Sequence, residues 1–414
     1  MSLLARRFRE TVSKSKNKAM KIESTGNVCY PTGFIMFDFL NGYITHVENE
    51  EKGIHEKYYS VGIQDGTLNM FIGRSQSGKT TFAMQTAFHI ISQYKTSAFF
   101  HDDVEGGIND ARKRVLTGES IGKLKQRYIC RDTGVHTEDF YDRIKIIYEE
   151  KMNNYDDYVY DTGKLDESGN PLFKLEPTVY LLDSFAMLKP LNIDDKDVSN
   201  NMTAAGATKV NTEVLRRIIP MLKAANIILF VINHILQDIS IMPKAAALRF
   251  LKPGERLSGG ETLILLANNT IRFADKKLQE KDGLGIEGAF IDVSLVKSRQ
   301  NIAGRSVTMA FDFNTGYNNA LSILLLLKQN NMINGSGIGL YIGDRNDRKF
   351  SQKKFISMFD KKNDPEFYSI VMNACMPILK DMVNQNEATN VMNDATGDFN
   401  DDLLDAMNDM LKAS

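Results

Sequence analysis

The sequence GRSQSGKT at residues 73–80 limits the possible folds of this chain more than any other stretch. It has the spacing of a phosphate-binding loop, and it lies between an apolar run that ends at Ile72 and a helix-prone segment that begins near Lys79. Small residues in such a loop let backbone N–H groups turn towards a phosphate, and the start of the helix adds partial positive charge. The motif therefore predicts a strand, a nucleotide-binding loop and a helix, in that order.

The loop also predicts roles for single residues. We expect Lys79 to bind the β- and γ-phosphates of ATP and Thr80 to bind Mg²⁺ through its hydroxyl. A second apolar run, 179–182, ends in Asp183, the expected carboxylate on the metal side. Taken alone, an acid at the end of a strand can equally cap a helix. The predicted cofactor-binding residues are Gly73, Arg74, Ser75, Gln76, Ser77, Gly78, Lys79, Thr80, Thr81 and Asp183, with Thr80 and Asp183 as the metal ligands.

Short apolar runs alternate with helix-prone stretches along much of the chain. The runs lie at 68–72, 97–100, 179–182, 227–232, 271–273 and 291–296, and they have the length of buried strands. Amphipathic stretches at 80–92, 138–152 and 208–225 separate several of them. This alternation predicts an α/β fold with a central, mainly parallel sheet flanked by helices.

Composition narrows the functional classes. Lys and Arg number 51 against 52 for Asp and Glu, so nucleic-acid binding would depend on local basic patches. The three cysteines lie far apart and lack metal-ligand spacing, which predicts reduced thiols. No run approaches the roughly 18 apolar residues of a membrane helix, and residues 1–21 lack a secretory pattern. We therefore expect no membrane partner and a cytoplasmic protein.

Hydrolysis of a nucleotide also needs a group that orients or deprotonates water. His101, Asp102, Asp103 and Glu105 follow the strand predicted after the phosphate-binding loop, and one of these acids is a plausible general base. The 227–232 run continues into Asn233 and His234, polar groups that could sense the γ-phosphate. A hydrogen-bonded surface histidine is the alternative for His234.

Taken together, these motifs resemble the RecA-like recombinase family, and they look closest to its bacteriophage UvsX-type members. The resemblance covers residues from about 28 to about 373. Its motifs are PTGF at 31–34, the 73–80 sequence, 100–105, LDS at 182–184, INH at 232–234, LSGG at 257–260 and VKSR at 296–299. The resemblance implies a RecA-like ATPase core and, for a phage-encoded protein, a place in the host cytoplasm or a phage replication compartment.

The resemblance implies a catalytic set that comprises Glu105, Lys79, His234, Lys297 and Arg299. Glu105 would activate the attacking water, and His234 would sense the γ-phosphate. Lys297 and Arg299 would reach the nucleotide of a neighbouring protomer, since two cations two positions apart on a strand point to the same side. An exposed pair on an edge strand is the alternative for these two cations.

Two DNA-binding loops are implied near 191–208 and 235–258. The second contains cations for phosphates together with small and apolar residues, a combination suited to single-stranded DNA. Its predicted DNA-binding residues are Lys244, Arg249, Lys252 and Arg256. The first loop has Lys196 among three aspartates, and Lys209 follows directly after it. An aromatic residue packs on adenine in this family; Tyr317 is a candidate for that role, and the sequence does not assign it.

The predicted organisation has four parts. Residues 1–27 form a basic helix that docks on a neighbouring protomer, or else a solvated tail. Residues 28–329 form the ATPase core, 330–384 a small C-terminal α+β domain, and 385–414 an acidic tail. Two polar insertions interrupt the core, a loop or hairpin at 47–59 and a surface excursion at 156–176.

By resemblance, the protein should form helical filaments on single-stranded DNA, pair that strand with homologous double-stranded DNA and hydrolyse ATP, in recombination, repair and recombination-dependent replication. Single-strand-binding and mediator proteins are expected partners. One alternative is a ring-forming RecA-fold helicase or motor, because fold does not fix function. Another is a nucleotide-binding filament protein whose turnover does not respond to DNA.

Overall fold

A computed structural model of the chain describes residues 26–118, 123, 126–132, 135–166, 168–191, 202–237, 250–258, 262–278 and 287–384. The helices are α1 (Ile35–Leu40), α2 (Lys79–Ser92), α3 (Asp110–Thr117), α4 (Thr137–Asn153), α5 (Tyr155–Tyr158), α6 (Met202–Ala225), α7 (Thr262–Leu266), α8 (Asn319–Gln329), α9 (Gln352–Met358) and α10 (Pro365–Asn384).

The strands are β1 (Cys29–Tyr30), β2 (Tyr43–Asn49), β3 (Ile54–Ser60), β4 (Ile63–Gln64), β5 (Leu68–Gly73), β6 (Phe99–Asp103), β7 (Tyr128–Arg131), β8 (Val159–Leu165), β9 (Pro171–Leu175), β10 (Thr178–Asp183), β11 (Ile227–Gln237), β12 (Glu255–Leu257), β13 (Asn269–Leu278), β14 (Gly288–Ser298), β15 (Arg305–Asp312), β16 (Gly316–Tyr317), β17 (Ile333–Asn334) and β18 (Tyr341–Ile342).

A ten-stranded sheet forms the centre of the molecule, in the order β16-β15-β14-β13-β5-β11-β10-β6-β7, with β12 paired to the end of β11. The strands from β13 to β7 run parallel to one another. β14, β15 and β16 extend the sheet with antiparallel pairs. The expected α/β protein with a mainly parallel central sheet flanked by helices is thus confirmed.

Central strands β5 and β10 are buried along their whole length and are mostly apolar, because helices cover both faces of the sheet. Successive side chains point to opposite faces. In β5, Phe71 belongs to the buried cluster that also contains residues of α1, α2, α8 and α10, while Met70 and Ile72 belong to the cluster on the other face, with residues of α4, α6 and α7. The periodicity of the sequence therefore sets which helices each strand side chain meets.

The segment that follows α8 packs onto the first of these faces. Phe355, Phe367, Val371 and Leu379 are buried in the same hydrophobic cluster as Phe71. α10 contacts α1 and α8, and Arg305 in β15 donates to the carbonyl oxygen of Met382 in α10. The apolar surface of this C-terminal segment is thus continuous with the hydrophobic core beside the central sheet.

Both predicted insertions are β-hairpins, and they contact each other. β2 pairs with β3, and β8 pairs with β9. Asn49 Nδ2 donates to the carbonyl oxygen of Ser168 at 2.9 Å, and Lys52 Nζ donates to the side chain of Asn170 at 2.7 Å. Segments more than 100 residues apart in sequence therefore form one projecting pair of hairpins.

Among the described helices, none is both long enough and apolar enough to cross a membrane.

Candidate active site at the carboxyl edge of the sheet

Several of the predicted site residues lie together at the carboxyl edge of the parallel strands β5, β6, β10 and β11. His234 in β11 lies level with Gly73 at the end of β5, and Asp183 in β10 lies level with Asp103 at the end of β6. Parallel strands order their carboxyl ends along one edge of a sheet, and loops at that edge commonly form binding sites. The edge therefore collects side chains from four separate parts of the sequence.

The 73–80 loop connects β5 to α2 and needs glycine at both ends. A Cβ atom on Gly73 would lie 2.5 Å from Ser77 Oγ and 2.6 Å from the carbonyl oxygen of Phe273. Gly78 has a φ of +85°, and a Cβ atom there would lie 2.7 Å from the Tyr317 hydroxyl. Larger residues at either position would push the loop away from the strands beneath it.

The ammonium group of Lys79 lies inside the loop. Its Nζ donates to the carbonyl oxygens of Gly73 at 3.2 Å and Arg74 at 2.6 Å, and it lies 3.4 Å from Ser77 Oγ. The residue is buried, while Arg74, Ser75 and Gln76 are exposed. The loop thus holds a cation beneath the first turn of α2, where an anion would also meet the helix N-terminus.

Thr80 and Asp183 contact each other directly across the edge. The Thr80 hydroxyl donates to Asp183 Oδ2 at 2.6 Å. Burial raises the pKa of Asp183 to about 6, because desolvation disfavours the charged carboxylate. A hydroxyl beside a desolvated carboxylate is an oxygen donor pair of the kind that Mg²⁺ prefers.

Glu105 and His234 form a second pair beside the first. His234 Nε2 donates to Glu105 Oε1 at 2.8 Å, and this hydrogen bond is the main reason that the pKa of Glu105 falls to about 2. Ligand atoms of Glu105, Asp183 and His234 all lie within 4.8 Å of one another. The arrangement keeps an ionised, partly exposed carboxylate next to the candidate metal ligands.

The other two acids of the 102–105 segment point elsewhere. Asp102 is buried, and it accepts hydrogen bonds from Arg143 in α4 and from the Tyr180 hydroxyl. Asp103 accepts from the backbone N–H groups of Gly107 and Ile108, each at 3.3 Å. Of these three acids, Glu105 is therefore the one that faces Asp183 and His234. The sequence did not predict Arg143, because nothing in α4 distinguishes it from other helical cations.

Lys297 and Arg299 lie away from this edge. Ser298 pairs with Asn269, which is level with Asn69 near the start of β5. Four residues of strand, roughly 13 Å, separate that level from Gly73. Lys297 Nζ donates to the carbonyl oxygens of Ile264, Leu265 and Ala267 at the end of α7, and Arg299 Nη2 donates to that of Leu265. The structure does not bring these cations to the 73–80 loop of the same chain.

The expected DNA-binding segments are described only in part. β11 and β12 form a hairpin on which Lys252 and Arg256 are exposed, while Lys244 and Arg249 lie outside the described residues. α6 begins at Met202, so the last part of the 191–208 segment is helical rather than a loop. Residues 1–25 and 385–414, the predicted arm and acidic tail, also lie outside the described residues.

Two aromatic side chains near the β15–β16 turn, Tyr317 and Phe313, lie in different environments. The Tyr317 ring is buried against Phe82 and Phe311. Phe313, in the turn between β15 and β16, has 48% of its surface exposed. Arg112 Nη1 donates to the carbonyl oxygen of Phe313 at 3.0 Å, which ties this turn to α3. Phe313 does not stand out in the sequence, because its exposure depends on the turn that carries it.

The fold and the site together define an α/β protein with a glycine-containing loop, a buried lysine and a cluster of acidic and histidine side chains at the carboxyl edge of its sheet. Comparison with models of known protein families and with curated proteins finds no match.

Proposed function

We propose that this protein is an ATP-dependent strand-exchange protein of the RecA-like type, which forms filaments on single-stranded DNA. The observation that carries the proposal is that two hydrogen-bonded pairs lie together at the carboxyl edge of the sheet, beside the Lys79 ammonium group. The pairs are Thr80 with Asp183 and Glu105 with His234. These are the groups that binding and hydrolysis of a nucleoside triphosphate require. The order of motifs that resembles recombinases supports strand exchange over other nucleotide chemistry.

The residues at this edge suit ATP and Mg²⁺. Lys79 and the first N–H groups of α2 would bind the phosphates, and Thr80 with Asp183 would hold the metal ion. When bound, Mg²⁺ would neutralise charge on the phosphate oxygens. The donor set fits this assignment, because the Thr80 hydroxyl and the Asp183 carboxylate already lie within hydrogen-bonding distance of each other.

Glu105 is the residue that would accept a proton from the attacking water. Its carboxylate is partly exposed and ionised at neutral pH, since the His234 contact lowers its pKa. A pKa of about 2 makes a weak base, so His234 also restrains turnover while it holds Glu105. We expect His234 to shift when a γ-phosphate is present, which would couple hydrolysis to the β11–β12 hairpin that follows it.

The protein would bind DNA through contacts with the phosphate backbone and not through contacts with particular bases. The exposed cations Lys252 and Arg256 lie on the hairpin next to the site, where they would contact phosphates. Base pairing between strands would supply sequence recognition. Lys297 and Arg299 would complete the nucleotide site of the next protomer in a filament.

ATP hydrolysis measured with and without single-stranded DNA, followed by a strand-exchange assay, tests the proposal. We expect DNA to stimulate turnover, Lys79→Ala to abolish it, and Lys353→Ala, which alters an exposed lysine of α9, to leave it unchanged. A rate of ATP hydrolysis that does not change when single-stranded DNA is added would favour a nucleotide-binding filament protein instead. Closed rings that unwind duplexes, seen in place of filaments by electron microscopy, would favour a helicase.

A further inference from the structure

Arg74 links the 73–80 loop to the end of the β11–β12 hairpin that lies next to the connection between its two strands. Its Nη2 atom donates to Gln237 Oε1 at 3.3 Å and lies 3.8 Å from Glu255 Oε1. Gln237 ends β11 and Glu255 begins β12, and the two residues are paired across the hairpin. One loop side chain therefore contacts both strands of the hairpin at the same level.

The hairpin end of this link is fixed. Glu255 is buried, and its two carboxylate oxygens accept from Arg272 Nη2 at 3.1 and 3.0 Å. The backbone N–H of Lys252 donates to the same carboxylate at 2.9 Å. Arg272 belongs to β13, beside β5, so Glu255 is anchored to the central sheet. The Arg74 side chain is 63% exposed and is the movable partner.

At the loop end of the link, a bound anion would compete with the Arg74 carbonyl oxygen for the Lys79 ammonium group. The carbonyl oxygen of Arg74 accepts a hydrogen bond from Lys79 Nζ at 2.6 Å. A phosphate group is a stronger partner for an ammonium ion than a neutral carbonyl oxygen is. Binding of a phosphate would therefore draw Lys79 away from Arg74 and release the backbone from which the Arg74 side chain extends.

We propose that Arg74 is a positioning residue that transmits occupancy of the 73–80 loop to the β11–β12 hairpin. Without a nucleotide, Arg74 holds the Gln237–Glu255 end of the hairpin. With a nucleotide bound, this hold is released and that end of the hairpin opens more often. The inference rests on the proposed nucleotide site. It differs from the coupling proposed through His234, because Arg74 acts through the Gln237 and Glu255 side chains, farther along the hairpin.

Hydrogen exchange of the backbone amides of residues 250–258 tests this directly, without DNA. The probes are ADP and a non-hydrolysable ATP analogue, each at a concentration shown by titration to saturate the variant. In the unmodified protein we expect nucleotide to speed exchange by about fivefold or more. Arg74→Ala should exchange at that faster rate even without nucleotide and respond no further. Arg74→Lys keeps the positive charge but loses the several N–H donors of the guanidinium group. Its exchange rate without nucleotide should lie between those of the unmodified protein and Arg74→Ala.

Two further variants separate the link from general effects. Gln237→Ala leaves the loop intact and removes one acceptor, so it should also weaken the response. Arg217→Ala is the matched control, because Arg217 is 62% exposed and pairs with Glu213 on α6. It should respond as the unmodified protein does.

The outcomes are distinct. If nucleotide binds but hydrogen exchange at 250–258 does not change, the inference is rejected. A normal response in Arg74→Ala also rejects it. Neither result contradicts the proposed nucleotide site. Failure of Arg74→Ala to bind nucleotide at any concentration also rejects it, since Arg74 would then serve binding itself. Failure of the unmodified protein to bind nucleotide rejects the proposed function and the inference together.

Discussion

Glu105 and Asp102 lie three residues apart in sequence and occupy opposite environments. Glu105 is partly exposed beside Asp183, whereas Asp102 is buried against Arg143 and Tyr180. Glu105→Gln should therefore retain nucleotide binding and lose turnover by about 10²–10⁴-fold, since it removes the proposed general base. Steady-state hydrolysis and equilibrium nucleotide binding would measure the two effects.

Asp102→Asn serves as the contrasting variant. It leaves the Arg143 charge poorly compensated, so it should reduce the free energy of unfolding by on the order of 3 kcal/mol, as denaturant unfolding would measure. Turnover of the folded fraction should change little. If Asp102→Asn instead abolished hydrolysis with stability unchanged, the base would be misassigned.

The raised pKa of Asp183 predicts how metal binding depends on pH. With a pKa of about 6, this carboxylate is mostly ionised at pH 7 and mostly protonated at pH 5. A cation competes with the proton, so the Mg²⁺ concentration for half-maximal nucleotide binding should be about tenfold higher at pH 5 than at pH 7. Glu105, with a pKa of about 2, remains ionised over this range and does not contribute.

Mg²⁺ titrations of nucleotide binding at the two pH values would check this prediction. Asp183→Asn is the control, because it removes the titrating group and should flatten the pH dependence while weakening metal binding at both values. An equal Mg²⁺ requirement at pH 5 and pH 7 in the unmodified protein would contradict it.

At the scale of elements, the central strands were predictable because burial on both faces demands continuous apolar runs. β5, β10 and β11 match such runs, and Asp183 and His234 stand out as the polar residues that follow them. Such patterns of apolar residues reflect burial, and they can be identified within each segment without knowledge of its partners.

What the sequence did not predict depends on contacts between distant segments. The contact between the two inserted hairpins joins residues more than 100 positions apart. The contact of Lys297 with the end of α7 and that of Arg74 with Gln237 are also set by sheet order and register. No single segment contains the information that selects such partners, because exposed polar residues can pair in many ways.

α10 should contribute to global stability through its buried face. Leu379 is fully buried in the cluster that includes Phe71, so Leu379→Ala should reduce the free energy of unfolding by about 2–5 kcal/mol. Asn373→Ala, on the exposed face of the same helix, should change it by less than about 0.5 kcal/mol.

Denaturant unfolding followed by circular dichroism would measure both variants. The shared cluster predicts that α10 unfolds in the same cooperative transition as the central sheet. An early separate transition, lowered by Leu379→Ala while the main one stays in place, would contradict this.

At the scale of the whole molecule, the 73–80 loop and the Lys297/Arg299 pair lie at different levels of the sheet. A head-to-tail assembly can bring them together, because such an interface joins two different surfaces of the same chain. Glu105→Gln and Lys297→Ala should then each lose turnover alone. In a mixture, a Lys297→Ala protomer still supplies Glu105, and a Glu105→Gln neighbour still supplies Lys297.

An equal mixture of the two variants should therefore recover up to about a quarter of the unmodified rate, the share of randomly formed head-to-tail interfaces that are complete. Lys297→Ala mixed with a Glu105→Gln/Lys297→Ala double variant is the control, since that mixture forms no complete interface. Arg299→Ala offers a second test with less disturbance of α7, because Arg299 donates to one carbonyl oxygen there and Lys297 to three. Full activity of Lys297→Ala alone, or a mixture no faster than its control, would show that the nucleotide site is complete within one protomer.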